Sequence, residues 1–442
     1  MTTGNAAGVS FFPTIADFTT RTRSHAGLSH YQRVKQRPNY HLLAEHSVSQ
    51  ILFEGKKAVG VEYLPTAGGS VSTATAKKEV ILASGAIHTP KILQLSGVGP
   101  RKLLERLGIK VVVDLPGVGS NFHDQPSMII PYNGESVLLP FSPVFHNDNN
   151  THKVTNNITP NYGSLASNTT YAAEQRRLYN EHRSGPLVLT GGLSTNLALS
   201  PFCNMTNKCT TILDAAATLT SPSTYYLPAD TDATVLAGYQ AQRSLLLRQL
   251  RSETPAAMIH WDTASAVHIF LLKPLSRGTI QIASSDPLQP PVIDPRTFSD
   301  PFDLELGLAA VLKNRHIMSQ PTMSVLQPFE GAPLGNNLTN EEEIKRALAH
   351  GLVDPSSGHP CCTAAMMPRN LGGVVGPDMK VYGTEGLRVV DVSSWPFVLT
   401  AAPTATVFAG GEKVGYFFFN TREKAGYTRY MRKLTNWRTD CG

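Results

Sequence analysis

Fourteen histidines and 33 acidic residues are among the groups in this 442-residue chain that could carry a proton. Histidine suits proton transfer best, because its unperturbed pKa of about 6.5 keeps both forms accessible near neutrality. His359 stands between Gly358 and Pro360, which fix the backbone and so aim the ring. Two further stretches offer backbone donors. Ser84-Gly85-Ala86 links an apolar run to helical sequence, and Pro403-Thr404 opens another helix. A helix N-terminus stabilises negative charge placed on it. The five cysteines show no zinc spacing. Cys203 and Cys209 bracket a short polar loop and could bridge, whereas the adjacent Cys361 and Cys362 are not expected to pair with each other.

Positioning these groups requires a recognisable set of elements. Val48–Phe53, a turn at Glu54-Gly55 and Ala58–Tyr63 read as a hairpin, with Tyr40–Leu43 as sheet before it. Glu79–Ala83 has the continuous apolar texture of a buried strand. Thr89 and Pro90 then supply an N-cap and first-turn proline for a helix over Lys91–Leu95. A helix over Arg101–Leu107 and a strand over Lys110–Asp114 follow. Strand, turn, helix and strand in this order suit an α/β nucleotide-binding fold. Residues 135–265 are richer in Asn, Thr, Ser and Tyr and carry a helix near Ala241–Arg251. Strands over Ala266–Leu272 and Gly278–Ala283, a helix over Glu341–His350, a strand over Leu387–Asp391 and a helix over Pro403–Tyr416 complete the pattern.

Apolar residues make up 41% and charged residues 16%, a globular balance, and the length implies two or three domains. No apolar run is long enough to span a membrane, and the first residues do not read as a signal peptide. The net charge is +6, and the tail 421–442 contributes +4 of it (six basic against two acidic residues). That tail reads as a solvated extension; no nucleic-acid-binding motif accompanies it. Sequons occur at Asn149, Asn157, Asn168, Asn204 and Asn337, and the four between 149 and 206 favour an exported glycoprotein.

The run Ser84-Gly-Ala-Ile-His-Thr-Pro-Lys-Ile-Leu-Gln-Leu-Ser-Gly-Val-Gly-Pro100 resembles the second signature of the glucose–methanol–choline oxidoreductase family. Four more stretches resemble the family in the same order. They are Leu115–Asp124, Ser276–Thr279 with Pro290–Pro295, His359–Met366, and Gly386–Asp391 with Ala405–Ala409.

The resemblance implies an α/β chain of FAD-binding doubly wound domain, here incomplete, plus an antiparallel-sheet substrate domain. Residues 1–130 are expected to be the remainder of the FAD domain and 131–350 the substrate domain. Residues 351–420 are expected to return to the FAD domain, and 421–442 to form the tail. It further implies that an alcohol gives a hydride to FAD while His359 takes the hydroxyl proton. Val48 is expected near the adenine through its backbone. Ser84 and Gly85 are expected along the dinucleotide, and Asp391 near its ribityl or pyrophosphate part. Ala402, Pro403 and Thr404 are expected beside the ring. His88, His123 and the remaining histidines read as structural or surface groups. The chain departs from the pattern twice. Eleven positions after Asp391, where the family keeps His or Asn, stands Ala402, whose methyl can neither accept a proton nor polarise a hydroxyl. No GxGxxG follows an early strand, so an N-terminally truncated member is expected.

Three readings follow. The first is an FAD-dependent oxidoreductase acting on the CH–OH of a small organic alcohol or polyketide-like substrate, of fungal secondary-metabolism type. The second is a non-redox cyclase or lyase on the same scaffold, of the versicolorin B synthase kind. The third is an inactive fragment. The sequence sets no substrate, electron acceptor or oligomeric state.

Overall fold

The computed structural model describes residues 7–11, 15–132, 164–188, 196–218, 226–261 and 266–420. The sequons at Asn149 and Asn157 and the basic tail lie outside the described residues.

The larger hydrophobic core is built on a six-stranded antiparallel sheet. Its order is Gly8–Phe11, Asn196–Pro201, Pro255–Trp261, Ala266–Leu271, Ser127–Pro131 and Val353–Asp354. Helices Ala233–Leu250 and Phe302–Met318 bury Leu246, Leu250, Leu306 and Val311 against Ile259, Ile269 and Leu271. Asp232 caps the first of these helices, its carboxylate accepting from Thr234 N at 2.8 Å. No described helix is long and apolar enough to cross a membrane.

The smaller core gathers the hairpin His46–Glu54/Lys57–Pro65, the parallel pair Val80–Leu82/Leu387–Val389 and the helix Gly85–Leu95 around Ile51, Leu82, Leu93 and Val389. Parallel strands drawn from residues 80 and 387 mean that the chain leaves this unit and returns to it, as expected of an α/β fold. Two pieces cross the expected boundaries. Gly8–Phe11, ahead of residue 130, joins the large sheet. Residues near 280, from the middle of the chain, are sewn to the Gly85–Leu95 helix by the buried Gln94. Its amide donates to Val118 O and Ile280 O and accepts from Ile282 N, so all three bonds are internal.

Several local expectations change. Tyr40–Leu43 is exposed and not a strand. Only Val113–Asp114 of the 110–114 run pairs. Ile81, expected to be buried, is 44% exposed. The helix expected from Lys91 begins at Gly85. Proline within it removes the N–H that would bond Ala86 O, and Thr363 Oγ1 supplies a donor to that carbonyl at 2.6 Å. A tertiary hydroxyl thus offsets what local sequence would forbid.

Cys203 and Cys209 form the disulfide their spacing allowed. The sulfurs of Cys361 and Cys362 are also joined, contrary to expectation. Cys362 has φ +79°, a left-handed backbone that breaks the usual alternation of neighbouring side chains.

Candidate active site

His359 sits on a loop whose shape is set by one buried carboxylate. Asp124 accepts from Ser356 Oγ at 2.6 Å, from His359 N at 3.2 Å and from Ser357 N at 3.3 Å. Asp124 is itself held by a two-way backbone pairing of His123 with Cys361. Burial pushes the Asp124 carboxyl above its ordinary value, and these donors oppose the rise.

The ring of His359 is half-buried, and desolvation lowers its pKa. Its Nδ1 lies 2.8 Å from Gln125 Oε1 and 3.1 Å from Ser357 Oγ. The ring borders a cleft of about 280 Å³ lined by Ser84, Gly85, Ile87, His88, Gly358, Val392 and Pro403 among others. Gly85 and Gly358 are at φ +75° and +78°, with no atom within 4 Å of where a Cβ would stand. Glycine there serves both the left-handed backbone and open access. The helix Thr404–Asn420 begins directly after the cleft residue Pro403.

The residues singled out in the sequence therefore divide. His359, Ser84, Gly85 and Pro403 share the cleft wall. Ala402 and Thr404 flank Pro403 in the chain, and both are half-buried. Asp391 stands one bond behind the cleft. Its Oδ2 accepts from Gly85 N at 3.0 Å and from Thr89 Oγ1 at 2.6 Å, and its Oδ1 accepts from Ser393 N. Val48 pairs with Tyr63 in the hairpin and packs on the smaller core, away from the cleft lining.

Other site residues were missed. His88, read as structural or surface, is exposed and lines the cleft, its pKa lowered by burial and by Lys91. Gln125 follows directly on the motif that ends at Asp124, which was the only signal for it. Thr89, read as an N-cap, instead binds Asp391. His123 is buried, and its Nδ1 accepts from Val398 N at 3.2 Å. A wider groove of about 530 Å³ near Asp114, Asp232 and Arg369 holds none of these groups.

Comparison with known proteins agrees with this architecture. Models of the GMC oxidoreductase N- and C-terminal modules match residues 5–127 and 274–411. The dehydrogenase xptC of Emericella nidulans is 44% identical over 413 residues, which is 93% of this chain and 62% of that protein. An FAD-dependent oxidoreductase from Chaetomium thermophilum superposes with a TM-score of 0.85 at 46% identity, covering 92% of this chain and 67% of that one. A fungal aryl-alcohol oxidase superposes with a TM-score of 0.80 at 36% identity, covering 93% and 66%. The chain thus spans about three fifths to two thirds of the length of these relatives. Two family modules in order, and near-full coverage at such identity, place the chain in the GMC oxidoreductase family.

Proposed function

We propose that the cleft serves FAD-dependent oxidation of a small organic alcohol at its CH–OH group, with His359 taking the hydroxyl proton. One observation carries this reading. The half-buried imidazole of His359, two open glycines and a helix start share one wall, with the exposed His88 also on it. These residues fit a flat, anionic-on-reduction ring: Gly85 and Gly358 permit close approach, and the helix opening at Thr404 favours negative charge. When bound, FAD supplies the hydride acceptor. Desolvation keeps His359 neutral and able to receive a proton, while the Asp124 bonds hold its loop against the cleft. Similarity to the fungal aryl-alcohol oxidase supports an aromatic alcohol, and similarity to the patulin synthase of Aspergillus clavatus supports a role in fungal secondary metabolism.

Two subsidiary readings belong with it. The flavin side would be the unit around the smaller core and the substrate side the six-stranded sheet, close to the division at residues 130 and 350. Export as a glycoprotein is supported by the Cys203–Cys209 disulfide and by exposed sequon residues at Asn168, Asn204 and Asn337.

Ala402 favours a second reading, non-redox cyclisation on the same scaffold, because no second imidazole or amide stands beside His359 at that position. Anaerobic mixing of FAD-loaded protein with a panel of primary benzylic and aliphatic alcohols separates the two. Bleaching of the visible flavin band supports oxidation. An unchanged spectrum across the panel, with turnover of a hydroxylated polyketide ketone, supports cyclisation.

A further inference from the structure

We infer that Gln125 is a positioning residue that selects the tautomer of His359, placing its proton on Nδ1 and leaving Nε2 as the acceptor. The inference rests on His359 being the base and adds what makes it one. It follows from counting protons. Gln125 is fully buried, and its amide nitrogen has two hydrogens. That nitrogen lies 2.7 Å from Leu399 O and 3.3 Å from Ala401 O, and carbonyl oxygens can only accept. The amide orientation is therefore fixed, and Oε1 is what faces His359 Nδ1 at 2.8 Å. The second neighbour of Nδ1, Ser357 Oγ at 3.1 Å, is a hydroxyl that can donate or accept, and its one proton has an alternative acceptor in Asp124 Oδ1 at 3.4 Å. Gln125 Oε1, which can only accept, therefore decides the matter, and the hydroxyl can turn to suit it. An unprotonated Nδ1 would set lone pair against lone pair in a desolvated site, so Nδ1 carries the hydrogen.

The chemistry of the orienting group also matters. A carboxylate in this place would stabilise imidazolium and raise the ring's pKa, whereas a neutral amide orients without charging. Among the described residues, the titratable groups beside the loop and on the cleft wall include Asp124, occupied by the loop's donors, and His88. The same amide ties the ring to the 399–401 segment that leads into Ala402 and Pro403, so the base and that part of the wall move as one.

The test reads the tautomer directly and needs no turnover. The full chain with 15N-labelled histidine, assigned by loss of signals in His359→Asn, is studied by long-range proton–nitrogen correlation above pH 7. The expected spectrum shows His359 with a hydrogen on Nδ1 and a bare Nε2. Gln125→Leu should lose that preference. Gln125→Glu should keep it while moving the ring's titration midpoint to higher pH. An Nε2-protonated ring in the unaltered protein overturns the inference, as does an unchanged tautomer in Gln125→Leu. If Gln125→Leu does not fold, the unaltered protein and Gln125→Glu still decide it. A correct tautomer with alcohol turnover undiminished in His359→Asn would remove the base assignment and leave the role of Gln125 standing.

Discussion

The carboxylate of Asp391 lies 2.6 Å from the hydroxyl of Thr89, joining residues 302 positions apart. The same oxygen accepts from the first N–H of the Gly85–Leu95 helix. One side chain on the closing segment therefore fixes the wall of the cleft that faces His359. Thr89→Val keeps the volume of a fully buried side chain and removes only the hydroxyl. A hydrogen bond to a charged group is lost, so stability should fall by about 1.5–3 kcal/mol, measured by denaturant unfolding.

Gly119 and Gly415 should respond oppositely to alanine. Gly119 has φ +80°, and an added Cβ would run into Ile280 O and the Gln94 amide, the junction that sews residue 280 to the cleft helix. Gly119→Ala should cost roughly 3 kcal/mol from strain and a disrupted buried network. Gly415, inside the Thr404–Asn420 helix, meets nothing within 4 Å. Gly415→Ala should be neutral or stabilising by up to about 1 kcal/mol, read from the shift in unfolding midpoint.

Desolvation holds the His359 pKa below its ordinary value. Its neutral, base-competent form therefore persists to lower pH than that of a free histidine, and the acid limb of kcat/KM should fall below pH of about 6.5. Stability depends on the same titration. The unfolded ring protonates first, so this contribution is present above about pH 6.5 and is lost as pH falls from there through the folded value. Asp124 acts oppositely: its raised pKa favours the folded form as pH falls. A pH-rate profile of FAD-loaded protein checks the first statement, and comparing the pH dependence of unfolding in His359→Asn and Asp124→Asn checks the others.

Much of the scaffold was legible because glycine and proline mark its turns. The hairpin around Glu54-Gly55 and the helix starting at Arg101 came from such local signals. His359, Ser84, Gly85 and Pro403 came from family motifs, and they do share a cleft. What stayed hidden depends on partners far along the chain. Thr89 reads locally as a cap until Asp391 is placed beside it. Gln125 has no signature of its own: its meaning lies in His359, 234 residues away, and in Leu399, 274 residues away. The true helix start needed Thr363 to satisfy Ala86 O. The Cys361–Cys362 pairing needed a left-handed backbone that no spacing rule predicts.

His359 is proposed as the base of an FAD-dependent alcohol oxidation. The most direct test of this role is the single-turnover rate of flavin bleaching by a benzylic alcohol, without oxygen, in the FAD-loaded protein and in His359→Asn at equal FAD content. Removing a positioned general base should slow bleaching by about 10²–10⁴-fold while FAD stays bound. An equal rate in the two proteins would contradict the claim.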